Sequence, residues 1–449
     1  MNIEKDNGGM NMYHFIGIKG SGMSALAQIM RGLGYEVQGS DVEKHFFTQD
    51  GLEEMNIKIL EFNPNNITPD LIIVKGNTFN NENNEEVKRA EELNLTIYTY
   101  QEMIGRLTKK FETICVAGCH GKTTTTSMLA HILKNTVGAN YLIGDGTGYG
   151  SRENKYFVLE SCEYKRHFLE YTPYYAIITN IELDHVDYFK DIDDVVLAYQ
   201  EYANNATKMV IACGDDPYTH SLEVNKPIFF YGLDDDNDIQ ARNVNYHSKG
   251  TSFEVFVEDN YYGFFDLPIF GKHMLLDALA CLSICYYERM DAKTVGKVFK
   301  EFKGAKRRYT ETIIGNIVCV DDYAHHPTEV KATIKTTKQK YPNKKIITVF
   351  QPHTFTRTKE FAHDLATVMN TADYSYVLPV HPAREKQEDY PDVTSDLIVK
   401  ELDHGQLLNM DDVEELLKWD DAVILFMSPN DISKLELDYQ EKLREKNDA

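Results

Sequence analysis

Residues 114–124 read Ile114-Cys115-Val116-Ala117-Gly118-Cys119-His120-Gly121-Lys122-Thr123-Thr124. A short apolar run passes through two glycines into Gly-Lys-Thr and then into a helical pattern. That order predicts a buried strand, a tight loop and a helix, the opening of a parallel α/β unit. Glycines let successive backbone N–H groups turn toward phosphate oxygens, and the helix N-terminus adds partial positive charge. Lys122 reaches terminal phosphates in such loops, and the Thr123 hydroxyl ligates magnesium. Only two residues separate the glycines, against four in the usual phosphate loop. Gly118, Cys119, His120, Gly121, Lys122, Thr123 and Thr124 are therefore read as a shortened phosphate-binding loop.

The same strand–helix alternation extends in both directions. Toward the N-terminus, Tyr13–Ile16, Glu36–Gln38 and Leu71–Val74 read as strands, with a helix over Met23–Met30. After the loop come Tyr156–Leu159, Ala176–Thr179 and Met209–Cys213. Thr251–Val257 and Tyr261–Phe265 alternate about polar residues and predict an antiparallel hairpin. A further set of strands covers Ile317–Val320, Ile346–Phe350, Tyr374–Leu378 and Ala422–Phe426. At roughly 150 residues per domain, 449 residues suggest about three domains. The expected fold class is α/β: three consecutive domains with mainly parallel sheets. A Rossmann-like N-terminal domain spans 1–108, a P-loop ATPase-like central domain 109–304, and a Rossmann-like C-terminal domain 305–449.

Lys and Arg total 47 against 70 Asp and Glu, giving a net charge of −23. So acidic a chain is repelled by nucleic-acid backbones and anionic membrane faces, so neither is an expected partner. Seven scattered cysteines, odd in number and without a CxxC pair, predict neither a disulfide framework nor a zinc site. Cys281 and Cys285, four apart, read as small buried residues on one helix face. The first twelve residues are polar and no apolar run reaches about 18 residues, so a cytoplasmic protein is expected.

In a parallel sheet the carboxyl ends of the strands gather at one edge, where ligands bind. Glu160 and the pair Asp184-His185 follow strands that end beside the phosphate loop. Glu160 with Thr123 suits magnesium, and His185 is a less usual ligand for so hard a cation. Gly17, Gly20, Ser21 and Gly22 form a GxxGxG loop after the first strand, and Asp41 follows the second, where dinucleotide-binding folds carry an acid for a ribose hydroxyl. A third group comprises Lys306-Arg307-Arg308-Tyr309, Asp321-Asp322-Tyr323-Ala324-His325-His326-Pro327 and Gln351-Pro352-His353-Thr354-Phe355-Thr356-Arg357. Adjacent arginines in an acidic chain point to an anionic ligand. The histidine pair has no third ligand nearby in sequence and reads as a turn lining a cleft.

Together these blocks resemble the Mur ligases, ATP-dependent enzymes that build the peptidoglycan peptide, over nearly the whole chain from Tyr13. The resemblance rests on residues 17–24, 118–126, 179–189, 306–309, 321–329 and 350–358. The first and the last three blocks point to the alanine-adding branch. The resemblance implies that Gly17–Gly22 and Asp41 hold the UDP part of UDP-N-acetylmuramic acid. It implies that Lys122, Thr123 and neighbouring amides bind ATP phosphates and Mg2+, with Glu160 and His185 completing metal sites. Arg308 would reach the phosphates and Asp322 the nucleotide ribose, while His353 and Arg357 would face the muramoyl end and the incoming L-alanine. Adenine-contacting asparagines usual in the family are replaced by Met274 and Asp277, leaving His273 and Asp277 as the adenine-side candidates. A turn usually rich in glycine reads Ser428-Pro429-Asn430-Asp431, and Glu160-Ser161-Cys162-Glu163 stands for an acidic block. Gln200 falls where related ligases carry a carbamylated lysine, so no carbamate is expected.

The implied reaction is amide ligation through an acyl phosphate, in a monomer or homodimer. Three alternatives remain: a recycling ligase adding a preformed tripeptide, an NAD-dependent dehydrogenase, and a non-catalytic nucleotide sensor. The dehydrogenase leaves Gly121-Lys122-Thr123 without a role. The sensor leaves Lys122, Thr123, Glu160, His185 and Arg308 without one.

Overall fold

The computed structural model describes residues 12–305, 308–383, 385–429 and 432–448. Lys306 and Arg307 of the basic cluster, and Asn430 and Asp431 of the C-terminal turn, lie outside the described residues, as does the polar start of the chain before Met12. Three sheets follow one another along the chain, as the strand–helix alternation predicts. The first holds five parallel strands in the order Lys58–Glu61, Glu36–Asp41, Met12–Ile16, Leu71–Lys75, Ile97–Thr99. The order reverses at Met12–Ile16, so the glycine loop that follows opens at a switch point.

The second sheet has ten strands. Its parallel centre sets Glu112–Ala117 between Tyr175–Ile178 and Tyr156–Glu160. These strands are buried almost throughout, because helices cover both faces, and they read as continuous apolar runs for that reason. The expected hairpin is the outer part of a three-stranded antiparallel extension, in which Ile239–His247 pairs with Gly250–Val257, and that strand with Asn260–Leu267. Ile239–His247 escaped the sequence reading because only its first three residues are buried; the rest alternates weakly among polar side chains. In the third sheet, Ile317–Asp322, Ala422–Met427, Lys345–Phe350, Tyr374–Val377 and Gly405–Leu407 run parallel, and Thr310–Ile314 is an antiparallel edge.

Cys281 and Cys285 are buried on the helix Gly271–Tyr287, and all seven cysteines are free. Among the described residues no helix is long and apolar enough to cross a membrane. The first sheet is joined to the second through the helix Ser21–Gly32, which lies on the strand Gly148–Tyr149. A Cβ at Gly148 would come 2.0 Å from Ala25 O, and one at Gly150 2.4 Å from Ile29 O, so only glycine permits this approach. Gln28 locks the contact, donating to Gly146 O (2.9 Å) and accepting from Gly148 N (3.3 Å).

At the far end of the central sheet Glu288 accepts from Tyr156, from Tyr175 (2.5 Å) and from Lys208 Nζ (2.9 Å). Burial raises its pKa, but these donors outweigh burial and hold it at about 2, below the ordinary 4.5. The pairing therefore stabilises the fold fully above pH 4.5 and fades as pH falls toward 2. Glu288→Gln is expected to lower stability at pH 7 by about 1–2 kcal/mol, allowing for solvent screening. In thermal melts the gap between variant and parent should shrink below pH 4.5; a gap of constant size would refute this assignment.

Candidate active site

Register brings the expected residues to one edge. Val116 pairs with Glu160, and Ala117 with Ile178, so the phosphate loop, Glu160 and the segment after Thr179 emerge side by side. Gly118 (φ 147°) and Gly121 (φ 79°) adopt backbone conformations that favour glycine, and Gly121 precedes the helix Lys122–Lys134. Lys122 Nζ donates to Gly118 O (2.5 Å), Cys119 O (3.3 Å) and the Glu163 carboxylate (3.0 and 3.2 Å). Burial disfavours its charge, yet Glu163 outweighs this and raises its pKa above the ordinary lysine value. Glu163, only 2% exposed, has no role in the sequence reading. Its signal was the second acid of Glu160-Ser161-Cys162-Glu163, three positions after the one chosen.

Thr123 Oγ1 donates to Glu160 Oε2 (2.9 Å), and Arg308 Nη2 lies 3.4 Å from the same hydroxyl. Hydroxyl and carboxylate oxygens at this spacing are suited to a hard divalent cation. His185 Nε2 lies 3.6 Å from Glu163 Oε1 rather than beside Glu160, and its ring packs on Tyr164. Arg308 also stacks over the Tyr323 ring, 4.7 Å from its centroid. His185 (φ 49°), Tyr309 (φ 55°) and Thr354 (φ 63°) are left-handed without being glycine, and each is, or adjoins, a candidate residue. Such strain concentrates at functional sites, held by the surrounding packing.

Two cavities flank the loop. One of about 580 Å³ is lined by Lys122, Thr123, Glu160, Glu163, His185, Arg308, His353 and Arg357. Arg357 Nη2 donates to buried Asp184 (2.7 Å), and its Nη1 sits 3.1 Å from His353 Nδ1. Asp184, which precedes the metal candidate His185, is thus taken up by an ion pair with the C-terminal part. Burial alone would raise its pKa, but Arg357 holds it well below the usual carboxylate range. The other cavity, about 710 Å³, is lined by His120, Gly121, Thr124, His273, Met274, Asp277, Arg308 and Asp322. Asp322 lies there, but Tyr309 N and Ala324 N (both 2.8 Å) already occupy its two oxygens. Burial pushes its pKa up to about 6.

The histidine pair differs from expectation. His326 lies beside His120 of the phosphate loop and Glu182, residues 206 and 144 positions away by subtraction, so further ligand atoms are near. In the N-terminal part Asp41 lines a separate cavity of about 310 Å³, together with Lys19 and Glu43. Its Oδ2 accepts from Lys19 N (2.7 Å) and its Oδ1 from Val42 N (2.8 Å), so it also orders the glycine loop. Gly17 turns that loop with φ 82°; Gly20 and Ser21 start its helix, and Gly22 packs under Tyr100.

Three family models match the chain: "Mur ligase family, catalytic domain" over residues 12–112, "Mur ligase middle domain" over 116–285, and "Mur ligase, glutamate ligase domain" over 308–431. The chain belongs to the Mur ligase family, whose members are ATP-dependent ligases of peptidoglycan precursors. Among solved structures it is similar to a UDP-N-acetylmuramate-alanine ligase of Thermotoga maritima, with TM-score 0.79 and 24% identity over 97% of this chain and 99% of that one. It is also similar to a murein peptide ligase of Psychrobacter arcticus (0.71, 24%, 97% and 99%). A MurF ligase of Thermotoga maritima in complex with ADP matches as well (0.63, 17%, 94% and 99%). These likenesses establish the three-part fold.

Two measurements follow from the electrostatics. Removing one partner of a buried ion pair costs about 3–5 kcal/mol, while removing both costs far less. Arg357→Met and Asp184→Asn should therefore each lower the melting temperature, and the double variant should lose less than the sum. Strict additivity would show that the pair is not coupled.

Asp277, buried against Gly121, accepts from Thr125 Oγ1 (3.0 Å), and burial lifts its pKa from 3.8 to about 7. The folded state thus holds a proton that the unfolded chain releases, and stability falls as pH rises from about 4 to 7. Asp277→Asn removes that loss and should stabilise the protein above pH 7 by about 2–4 kcal/mol, with little effect at pH 4. Equal melts at pH 8 would contradict this.

Proposed function

We propose that this protein joins L-alanine to the lactyl carboxylate of UDP-N-acetylmuramic acid at the expense of ATP. The observation that carries the reading is the single cavity lined by Lys122, Thr123, Glu160, Arg308, His353 and Arg357. A carboxylate is a poor electrophile, and transfer of the ATP γ-phosphoryl group converts it to an acyl phosphate. The alanine amine then attacks the carbonyl carbon, and phosphate leaves the tetrahedral intermediate. Lys122 and Arg308 converge from two parts of the chain on the place where phosphoryl oxygens gain charge. Thr123 and Glu160, with His185 nearby, are the residues that would hold Mg2+. When bound, that ion neutralises phosphate charge and orients the transferred group.

Glu163 pairs with Lys122, so phosphate oxygens compete with its carboxylate for the ammonium. His353 and Arg357 orient the sugar carboxylate and the amino acid. Asp41, Lys19 and the Gly17–Gly22 loop hold the UDP end. Sequence blocks 306–309, 321–329 and 350–358 favour alanine over a tripeptide, as does likeness to a structure named as a UDP-N-acetylmuramate-alanine ligase. Likeness to a murein peptide ligase makes tripeptide the competitor to exclude.

The test is mass spectrometry of the full-length protein with ATP, Mg2+ and UDP-N-acetylmuramic acid, L-alanine and wall tripeptide competing in one tube. A product heavier by one alanine residue is expected. In Lys122→Ala its rate should fall by about two to three orders of magnitude, the scale of losing one charge-stabilising group. A tripeptide product would move the assignment to a recycling ligase, and no product with nucleotide bound would reduce the protein to a sensor.

A further inference from the structure

The densest group of ligand atoms outside the magnesium candidates lies where the phosphate loop meets the C-terminal sheet. His120 comes from the loop and Glu182 from the segment after Tyr175–Ile178. His326 precedes the helix Pro327–Lys340 as its N-cap. One ligand atom from each lies within 4.8 Å of the others. His120 Nε2 is 3.2 Å from Glu182 Oε2, and His326 Nδ1 is 3.6 Å from the same oxygen. Tetrahedral zinc, with bonds of about 2.0 Å, has ligand–ligand edges of about 3.3 Å, so two of the three edges are already near ligation length.

The surroundings have the form of an outer shell. The second ring nitrogen of His120, Nδ1, is 3.2 Å from Glu329 Oε1, so a carboxylate stands behind the ring while Nε2 faces Glu182. Thr328 Oγ1 donates to both Glu182 oxygens (2.9 and 3.2 Å) and orients that carboxylate. His326 Nδ1 caps the helix, accepting a long bond (3.4 Å) from Thr328 N, and stands 3.6 Å from Glu182 Oε2. Ligation exchanges the His120–Glu182 contact and that long cap for metal bonds, while Glu329 still accepts from His325 N (3.0 Å) and His326 N (3.2 Å) at the same helix start.

We propose that His120, Glu182 and His326 bind a zinc-class divalent ion, separately from the oxygen-rich magnesium set at Thr123 and Glu160. Imidazole nitrogens with one carboxylate select such an ion over Mg2+. His120, Glu182 and Thr328 also line the larger of the two cavities beside the loop. Bound there, the ion fastens the phosphate loop to the C-terminal sheet.

The test uses metal-free, nucleotide-free, full-length protein titrated with Co2+ in a large excess of Mg2+. Expected is one Co2+ with the intense visible absorption of four-coordinate geometry, displaced by one equivalent of Zn2+. His326→Asn keeps a side-chain cap for the helix while removing the imidazole. His326→Asn and Glu182→Gln should each weaken Co2+ binding by about a hundredfold or more, exceeding the usual loss from an outer-shell change. The circular dichroism and melting of His326→Asn should match the parent. The proposal fails if the spectrum and affinity persist in both variants, or if excess Mg2+ displaces Co2+. No nucleotide or sugar takes part, so the outcome is independent of the ligase assay.

Discussion

Lys122 carries a positive charge into a buried setting, and Glu163 and the carbonyls of Gly118 and Cys119 keep it there. That requirement reaches far into the fold. Glu163 is in place only because Tyr156–Glu160 lies directly beside Glu112–Ala117, with Ser161 N bonded to Val116 O at 2.8 Å. Thr179, on the other side, closes the loop through Ala117 O (2.9 Å to its backbone N) and through His120 O. A one-residue slip in either strand would turn these side chains to the opposite face and leave a buried ammonium without a counter-charge.

Polar contacts join the C-terminal part to this edge. Arg357 with Asp184, Glu329 with His120, Thr328 with Glu182 and Arg308 with Thr123 all cross the cleft. Farther out, Gln339 receives Gly271 N at 2.7 Å. Buried ion pairs add little net stability, because desolvation offsets attraction, but they penalise wrong arrangements heavily. Such a joint sets relative position more than it adds cohesion. That suits an interface whose contacts must rearrange when anionic ligands arrive.

The phosphate loop, the fold class and the strands covered on both faces were readable from local pattern, because apolar runs and Gly-Lys-Thr carry their meaning within a few residues. Thr123 and Glu160 were also readable, since strand order alone brings them together. Glu163 was visible only as a second acid, and nothing in its spacing says that it faces Lys122. The cluster of His120, Glu182 and His326 is assembled from three separate segments, so no local signal could reveal it. Strands such as Ile239–His247 and Gly405–Leu407 carry too many half-exposed residues for the alternation to show. Asp41 was found, but its bond to Lys19 N depends on how the glycine loop folds back.

The contact made by Gly148 and Gly150 has a mechanical consequence. With backbone lying on backbone there, the helix Ser21–Gly32 and the strand Gly148–Tyr149 have no compliant layer across which to slide. The span from the cavity beside Asp41 to the ammonium of Lys122 then acts as a ruler of fixed length. A molecule gripped at one end presents its other end at a constant height above the phosphate loop. Adjustment to its size falls to the C-terminal sheet, whose ion pairs and hydrogen bonds to this edge are contacts that water and ions can replace.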